Sequence, residues 1–387
     1  MDVYDLPTPM VLIDIARVRK NLEKYFSMAK KFGKKIWPMV KTHKSSYIAR
    51  IQCEYGADGF TVGTLDEAEV LVEKKIAKTL MLGNVYVADK ESLSRVLDIV
   101  EQGVRVVLRI DNLEVAAFID DQLKRYGLEL DYVVKIDTGL HRFGVKPEHV
   151  VDFLSKMQRF SKLRFVGVVT HPGHVYSVKT PQEVEVVARE VSKAIGRVVS
   201  ELSRKGFDLE IVGTGSTPTL KHDIEDPTYT HLFPGNFVYL DRIQVEVFRI
   251  ATLNDCALTI LSTIISIPEH SDGKIAIVNV GSKYLGLDRG AHGEEVLRGF
   301  GRLAEHLDVY LVKLSEEVGI ADISMDPSVR VGEKVRVIPN HACIVGNSSS
   351  YAVIHEDGKV RGLIEIDMRN GSRIPRILTK LSIDFIS

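Results

Sequence analysis

Residues 165–212 read FVGVVTHPGHVYSVKTPQEVEVVAREVSKAIGRVVSELSRKGFDLEIV. The stretch opens with an apolar run, Phe165 to Thr170, that shows no polar alternation, as expected for a strand buried on both faces of a parallel sheet. A long amphipathic pattern follows from Pro181 to Lys205. It starts after Thr180-Pro181, a capping residue and then a proline, and stops near Gly206. A second apolar run, Leu209 to Val212, comes next. Strand, helix, strand is the unit of a parallel α/β fold.

The same rhythm extends in both directions. Further short apolar runs lie at Ile36 to Val40, Gly59 to Val62, Thr79 to Leu82, Val104 to Ile110, Tyr132 to Ile136 and His231 to Tyr239. Helix-length segments such as Thr64 to Glu73 separate most of them. Eight runs predict a (β/α)8 TIM barrel within residues 14–248, with a doubly wound sheet as the rival arrangement. After residue 249 the rhythm changes. Leu261 to Ile267, Lys274 to Val280, Val309 to Leu314, Lys334 to Ile338, Tyr351 to Ile354 and Gly362 to Ile366 read as strands joined by turns, so residues 249–387 are expected to form a β domain. Thr8 to Ile13 lies outside the barrel pattern, and residues 1–13 are expected to join that domain.

Bulk composition narrows the function classes. Lys plus Arg number 51 against 52 Asp plus Glu, a net charge of -1, which argues against a nucleic-acid binder. No apolar run reaches the roughly 18 residues of a membrane span. Met1 to Pro9 carries two acids and two prolines, unlike the basic start of a signal peptide. Cys53, Cys256 and Cys343 are too scattered for a disulfide framework, and Cys53 and Cys256 read as buried, inert thiols. The expectation is a cytoplasmic protein with a sizeable core.

Chemistry in such a barrel sits at the C-terminal strand ends, and there the polar residues gather. The first run ends Val40-Lys41-Thr42-His43-Lys44. Burial depresses an ammonium's pKa, which suits a Schiff-base lysine, although a lysine snorkelling to solvent gives the same pattern. The fifth run ends Asp137-Thr138-Gly139-Leu140-His141-Arg142, the sixth His171 to Tyr176, and the seventh Gly213-Thr214-Gly215-Ser216-Thr217. Glycines with hydroxyl side chains after a strand suit a phosphate, or a plain turn. Lysine, arginine and phosphate loop together point to an aldehyde cofactor carrying phosphate, pyridoxal 5'-phosphate (PLP). In the β half, His341 and Cys343 two apart on an extended strand share one face. Imidazole plus thiolate favours zinc, and two ligands leave positions open for catalysis. A core histidine beside a buried cysteine is the bland alternative. His43, His171 and His174 lie on strand ends within reach of the site, whereas His222, His231 and His292 read as structural or surface residues.

These motifs occur in the order of a known family. Trp37 to Lys44, Asp137 to Gly139 with Arg142 and Gly144, His171 to Tyr176, Gly213 to Thr217, Pro234-Gly235 and Pro339 to Cys343 together resemble the D-serine dehydratase and D-threonine aldolase group of fold-type III, alanine racemase-like PLP enzymes. The resemblance implies that Lys41 carries the cofactor and that Arg142 lies near its phenolic oxygen. It implies that Gly213, Gly215, Ser216 and Thr217 cradle the phosphate and that His171 and Tyr176 lie beside the cofactor. His341 and Cys343 would bind a divalent metal, zinc or manganese, close to the hydroxyl of a D-3-hydroxy amino acid. Asp288 falls in a β-domain motif of the group. The implied assembly is a homodimer whose partner completes each site. Two positions depart from the group: its Glu-His-Gly is Glu317-Val318-Gly319 here, and Phe237 replaces a frequent tyrosine.

The implied activity is a lyase, a D-serine dehydratase or a D-threonine aldolase. Cys343 leans toward the dehydratase, because D-threonine aldolases often carry aspartate as the second ligand. An amino-acid racemase, with Tyr284 as a second acid/base, leaves the His341–Cys343 pair without a role. A PLP-binding protein without turnover leaves the β half unexplained.

Overall fold

A computed structural model of the chain describes residues 1–373 apart from His292. The reading of His292, and residues 374–387 of the expected β domain, lie outside the described residues. In chain order the elements are β1 (Met10–Asp14), α1 (Ile15–Lys31), β2 (Lys35–Ile36), α2 (Ser46–Glu54), β3 (Phe60–Val62), α3 (Leu65–Glu73), β4 (Thr79–Leu82) and α4 (Lys90–Glu101). The barrel continues with β5 (Arg105–Ile110), α5 (Leu113–Tyr126), β6 (Leu130–Lys135), α6 (Val150–Met157), β7 (Leu163–Val169), α7 (Pro181–Arg204), β8 (Ile211–Thr214), α8 (Leu220–Glu225) and β9 (His231–Leu232). Then come β10 (Leu258–Ser266), β11 (Ile275–Val278), α9 (Ser282–Leu285), β12 (Gly301–Leu303), β13 (Tyr310–Leu314), β14 (Gly319–Asp322), β15 (Lys334–Pro339), α10 (Ala342–Ser348), β16 (Tyr351–Glu356) and β17 (Lys359–Glu365).

Strands β2 to β9 form the parallel barrel in the order β2-β9-β8-β7-β6-β5-β4-β3. The ring closes just past β2, where Met39 bridges Thr61 of β3 and the Thr61 N–H donates to the Pro38 carbonyl at 2.9 Å. Closure decides between the barrel and the doubly wound sheet. Met81, Val107, Val133, Val169 and Ile211 from successive strands pack with Trp37 and Phe233 in the interior. Val106, Leu108, Tyr132 and Val134 belong to the outer layer under the helices, as alternation along a strand requires. The longest helix, α7, begins as its sequence dictates: Thr180 accepts from the Glu183 N–H, and the Glu183 carboxylate accepts from the Thr180 N–H at 2.9 Å.

The second domain is also closed. Its strands pair β10–β11, β11–β14, β14–β13, β13–β12, β12–β15 and β15–β10, all antiparallel, making a six-stranded barrel. Strand β1 lies between β10 and β16, antiparallel to the first and parallel to the second, and the β16–β17 hairpin extends the sheet. Two of these strands have no counterpart in the sequence pattern. Gly301–Leu303 and Gly319–Asp322 are too short to show a period. No helix among the described residues is long and apolar enough to cross a membrane.

Candidate active site

A cavity opens at the C-terminal ends of the barrel strands and is roofed by α10. Its wall comprises Met39, Lys41 and Thr42 after β2, Asn84 after β4, Arg109 on β5, and Thr170, His171 and Tyr176 after β7. Gly215, Ser216 and Thr217 follow β8, and Phe233, Gly235 and Asn236 follow β9. His341 and Cys343 complete the wall from the other domain.

Lys41 is half-buried and stands on a 3-10 turn, Val40–Thr42, rather than on the strand expected through Val40. Beyond Ile36 the backbone still bonds the β9 side, with the Trp37 and Met39 N–H groups donating to the Leu232 and Pro234 carbonyls at 2.9 Å, before it turns. The turn is held by His43 and Lys44 N–H groups donating to the Val40 carbonyl at 3.2 and 2.9 Å.

His341 and Cys343 come together by a different route from the one expected. Strand β15 ends at Pro339, His341 caps α10, and Cys343 lies in its first turn. Both side chains face the same cavity. Burial opposes charge on the imidazole, but the neighbouring Cys343 sulfur and Asp288 outweigh it and raise the His341 pKa. Burial likewise pushes the Cys343 thiol up, yet His341, Lys41 and Thr42 bring it down on balance. Asp288 Oδ2 lies 3.6 Å from His341 Nδ1. Among the described residues no third His, Cys, Asp or Glu completes a metal cluster.

The loop after β8 fits a buried phosphate. A Cβ at Gly215 would lie 2.6 Å from the Phe233 carbonyl oxygen, so only glycine lets the backbone pass. The Thr217 hydroxyl is buried and has no hydrogen-bond partner among the described residues. His171 Nδ1 bonds the Gly215 carbonyl. Burial, then the Lys135 and Lys41 charges, holds this imidazole neutral by lowering its pKa well below the usual value. Tyr176 is buried, packs edge-on against Phe248 at 5.6 Å, and has its phenol pKa raised by burial.

Two expected residues are not in the cavity wall. Gly213 lies within β8, where a Cβ would strike the Phe233 ring at 2.4 Å. Arg142 is exposed in a separate groove with Asp111, Asp137 and His141, its guanidinium 5.4 Å from the Phe143 ring centre. The loop turns it outward: Asp137 accepts the Gly139 and His141 N–H groups at 3.0 Å, and His141 adopts φ 55°.

The arginine that does face the cavity is Arg109. It is 7% exposed, donates to the Gly83 carbonyl at 2.9 Å, and sits 5.4 Å from the Phe233 ring centre. Its Nε has no partner among the described residues, and burial pushes its pKa down to about 10. Strand parity was the available signal: Arg109 follows inward Val107 by two residues, as Lys135 follows Val133.

The remaining candidates lie elsewhere. His43 is buried against Gln52 and the Ser45 N–H, and His231 packs edge-on against Trp37 at 4.6 Å. His174 packs near Gly139, 3.1 Å from where its Cβ would be. Phe237 is fully buried between Tyr25 and Phe26, and neither it, Val318 nor Tyr284 lines the cavity. Cys256 is buried but Cys53 only half so, and none of the three cysteines is in a disulfide.

Residues 13–242 match the family described as alanine racemase, N-terminal domain. The chain belongs to that family. Beyond the alanine racemase-type barrel, residues 257–355 match a putative serine dehydratase domain. Among curated relatives of this alanine racemase-family chain, the D-serine dehydratase of Dictyostelium discoideum is 28% identical, over 93% of this chain and 96% of that protein. The D-threo-3-hydroxyaspartate dehydratase of Delftia sp. (strain HT23) is 27% identical, over 92% and 96%. The solved structure of the Delftia enzyme superposes with a TM-score of 0.84 at 25% identity, covering 94% of this chain and 98% of that one. A structure described as a cysteine-to-alanine mutant of D-threo-3-hydroxyaspartate dehydratase in the metal-free form gives the same TM-score. D-threonine aldolase from Filomicrobium marinum shares the fold, with a TM-score of 0.84 at 22% identity over 95% of this chain and 96% of that one.

Proposed function

We propose that the chain is a PLP-dependent lyase acting on D-3-hydroxy amino acids, with a divalent metal ion, zinc before manganese, held by His341 and Cys343. The observation that carries this reading is the convergence of Lys41 with the His341–Cys343 pair in one cavity, from two domains. The named relatives support it: they are dehydratases of D-serine and of D-threo-3-hydroxyaspartate. Metal binding would displace the His341 proton, and the resulting neutral imidazole with a thiolate is a donor set suited to zinc, with open positions left.

Lys41 would hold the cofactor, and Gly215, Ser216 and Thr217 its phosphate; the unpartnered Thr217 hydroxyl and Arg109 Nε are buried donors that fit an anion. When bound, the cofactor withdraws electrons from the substrate α-carbon. The Lys41 amine is the base at that carbon. His171, kept neutral and hydrogen-bonded to Gly215, orients the phosphate loop rather than carrying charge. Helix α10 roofs the cavity and limits water. Loss of the α-proton with departure of the 3-hydroxyl as water would leave an enamine, which a water molecule hydrolyses to a keto acid and ammonia, whereas loss of the hydroxyl proton would break Cα–Cβ, releasing an aldehyde and, once the α-carbon regains a proton, glycine. The first outcome is preferred, given Cys343 and the dehydratase relatives. A homodimer and a cytoplasmic setting, in keeping with free cysteines, belong to the same reading.

The test is a visible spectrum of the purified protein followed by addition of D-serine and D-threonine, with and without zinc. A cofactor band lost in Lys41→Ala and zinc-dependent pyruvate from D-serine are expected. Absence of the band would sink the reading, and metal-independent racemisation would replace it with a racemase.

A further inference from the structure

A second chamber adjoins the main cavity and shares Lys41, Asn84 and Cys343 with it. Its far wall presents Lys44, Asn347 and Asn370. Asn347 follows Cys343 by four residues on α10, so both project from one face of that helix. The hydrogen bonds there fix which way each amide points. Asn347 Oδ1 accepts the Asn370 N–H at 2.9 Å, and Asn370 Oδ1 accepts from Lys44 Nζ at 2.6 Å. A backbone N–H and an ammonium can only donate, so each carbonyl oxygen is committed and each amide is left with its NH2 group.

The local carboxylate is committed too. Glu67 is fully buried, with Oε1 2.6 Å from Lys44 Nζ and Oε2 accepting the Gly63 N–H at 2.5 Å. Glu67 thus neutralises Lys44 without offering the chamber a spare acceptor. What remains on the far wall is a set of neutral and charge-assisted donors, facing the reactive lysine and the metal-ligand candidate Cys343.

We propose that this chamber is a carboxylate subsite, with the Asn347 and Asn370 amides as its donors. The inference rests on the lyase reading, which brings an amino acid to Lys41. Two carboxylates satisfy the same chemistry: the one on the α-carbon, or a second one on the β-carbon of a substrate such as a 3-hydroxyaspartate.

Asn347→Asp and Asn370→Asp test it. Each keeps the shape and the accepting oxygen that holds its neighbour, and each removes the donors. The readout is equilibrium binding of D-alanine and D-aspartate, which lack the 3-hydroxyl, to the cofactor-loaded protein, followed by its visible spectrum. Loss of a hydrogen bond to a charged group corresponds to about a 10-fold or greater rise in Kd. An equal rise for both ligands assigns the subsite to the α-carboxylate, and a rise for D-aspartate alone assigns it to a second carboxylate. Unchanged Kd for both ligands in both variants overturns the subsite and leaves the lyase reading intact. Failure of the unaltered protein to bind either ligand overturns both.

Discussion

The Thr42 hydroxyl oxygen lies 3.1 Å from the Cys343 sulfur, across the joint between the two domains. Thr42 is the residue after Lys41, so one turn of backbone carries the Schiff-base candidate and the hydroxyl that steadies the thiolate. Groups that hydrogen-bond a metal ligand typically change metal affinity 10–100-fold when removed. Thr42→Val, which keeps the shape and removes the hydroxyl, is expected to lower zinc affinity by about 10-fold. Competition with a chromophoric chelator measures this; circular dichroism should be unchanged.

Arg109 and Arg142 separate geometry from resemblance. Arg109 faces the cavity with a buried, unpartnered Nε, whereas Arg142 is exposed. Arg109→Gln is expected to weaken PLP retention by about 10-fold, the loss of one charge-assisted hydrogen bond. Arg142→Gln should change it less. Cofactor dissociation on dialysis, read by absorbance, ranks the two, and the reverse order would return the role to Arg142.

Gly346 is where α10 touches the Lys41 turn. A Cβ there would lie 2.1 Å from the Thr42 carbonyl oxygen, which is backbone and cannot swing aside. Gly346→Ala is therefore expected to destabilise the protein by about 1–3 kcal/mol. It should also lower zinc affinity, because Cys343 would be lifted from Thr42. Urea denaturation and metal titration read the two effects separately.

His306 links two turns of the β domain and supplies a pH dependence. Its Nδ1 faces Asp326 at 2.8 Å and its Nε2 faces Glu333 at 2.7 Å. Burial opposes its charge, but the two carboxylates outweigh it and raise its pKa; Ser328 and His306 bring Asp326 down to about 2. A raised histidine pKa stabilises the fold fully below about 6.5 and ceases to do so as pH rises through the folded value. A depressed aspartate pKa stabilises above about 3.8 and fades as pH falls toward its folded value. The Tm difference between the protein and His306→Gln should therefore be largest between roughly pH 4 and 6.5 and shrink on the alkaline side. A difference that fails to shrink as pH rises above about 6.5 would contradict the clamp.

The barrel was legible because strands buried on both faces appear as unbroken apolar runs; Thr79–Leu82 has the same limits in sequence and structure. In the β domain the short strands Gly301–Leu303 and Gly319–Asp322 exist only through their partners, and no local pattern reveals them. Residue type carried the site further than local conformation did. His341 and Cys343 meet although α10, not a strand, presents them, because a helix cap and its first turn also bring the two side chains together. Arg142 followed the motif order, but the turn at His141 directs it away. Arg109 was hidden inside an apolar run, where only its parity with Val107 marks it.

Strand β1 occupies a place in the sheet that later parts of the chain must build. Its neighbours are Leu258–Ser266 on one side and Tyr351–Glu356 on the other. On the ribosome, the residues of all eight barrel strands emerge while Met10–Asp14 still lacks both partners, so this long-range pairing must wait for later synthesis. Cys343 emerges in that same late portion. A nascent chain halted after β9 would carry Lys41 and the phosphate loop without the thiolate, able in principle to bind a cofactor before it is able to use a metal.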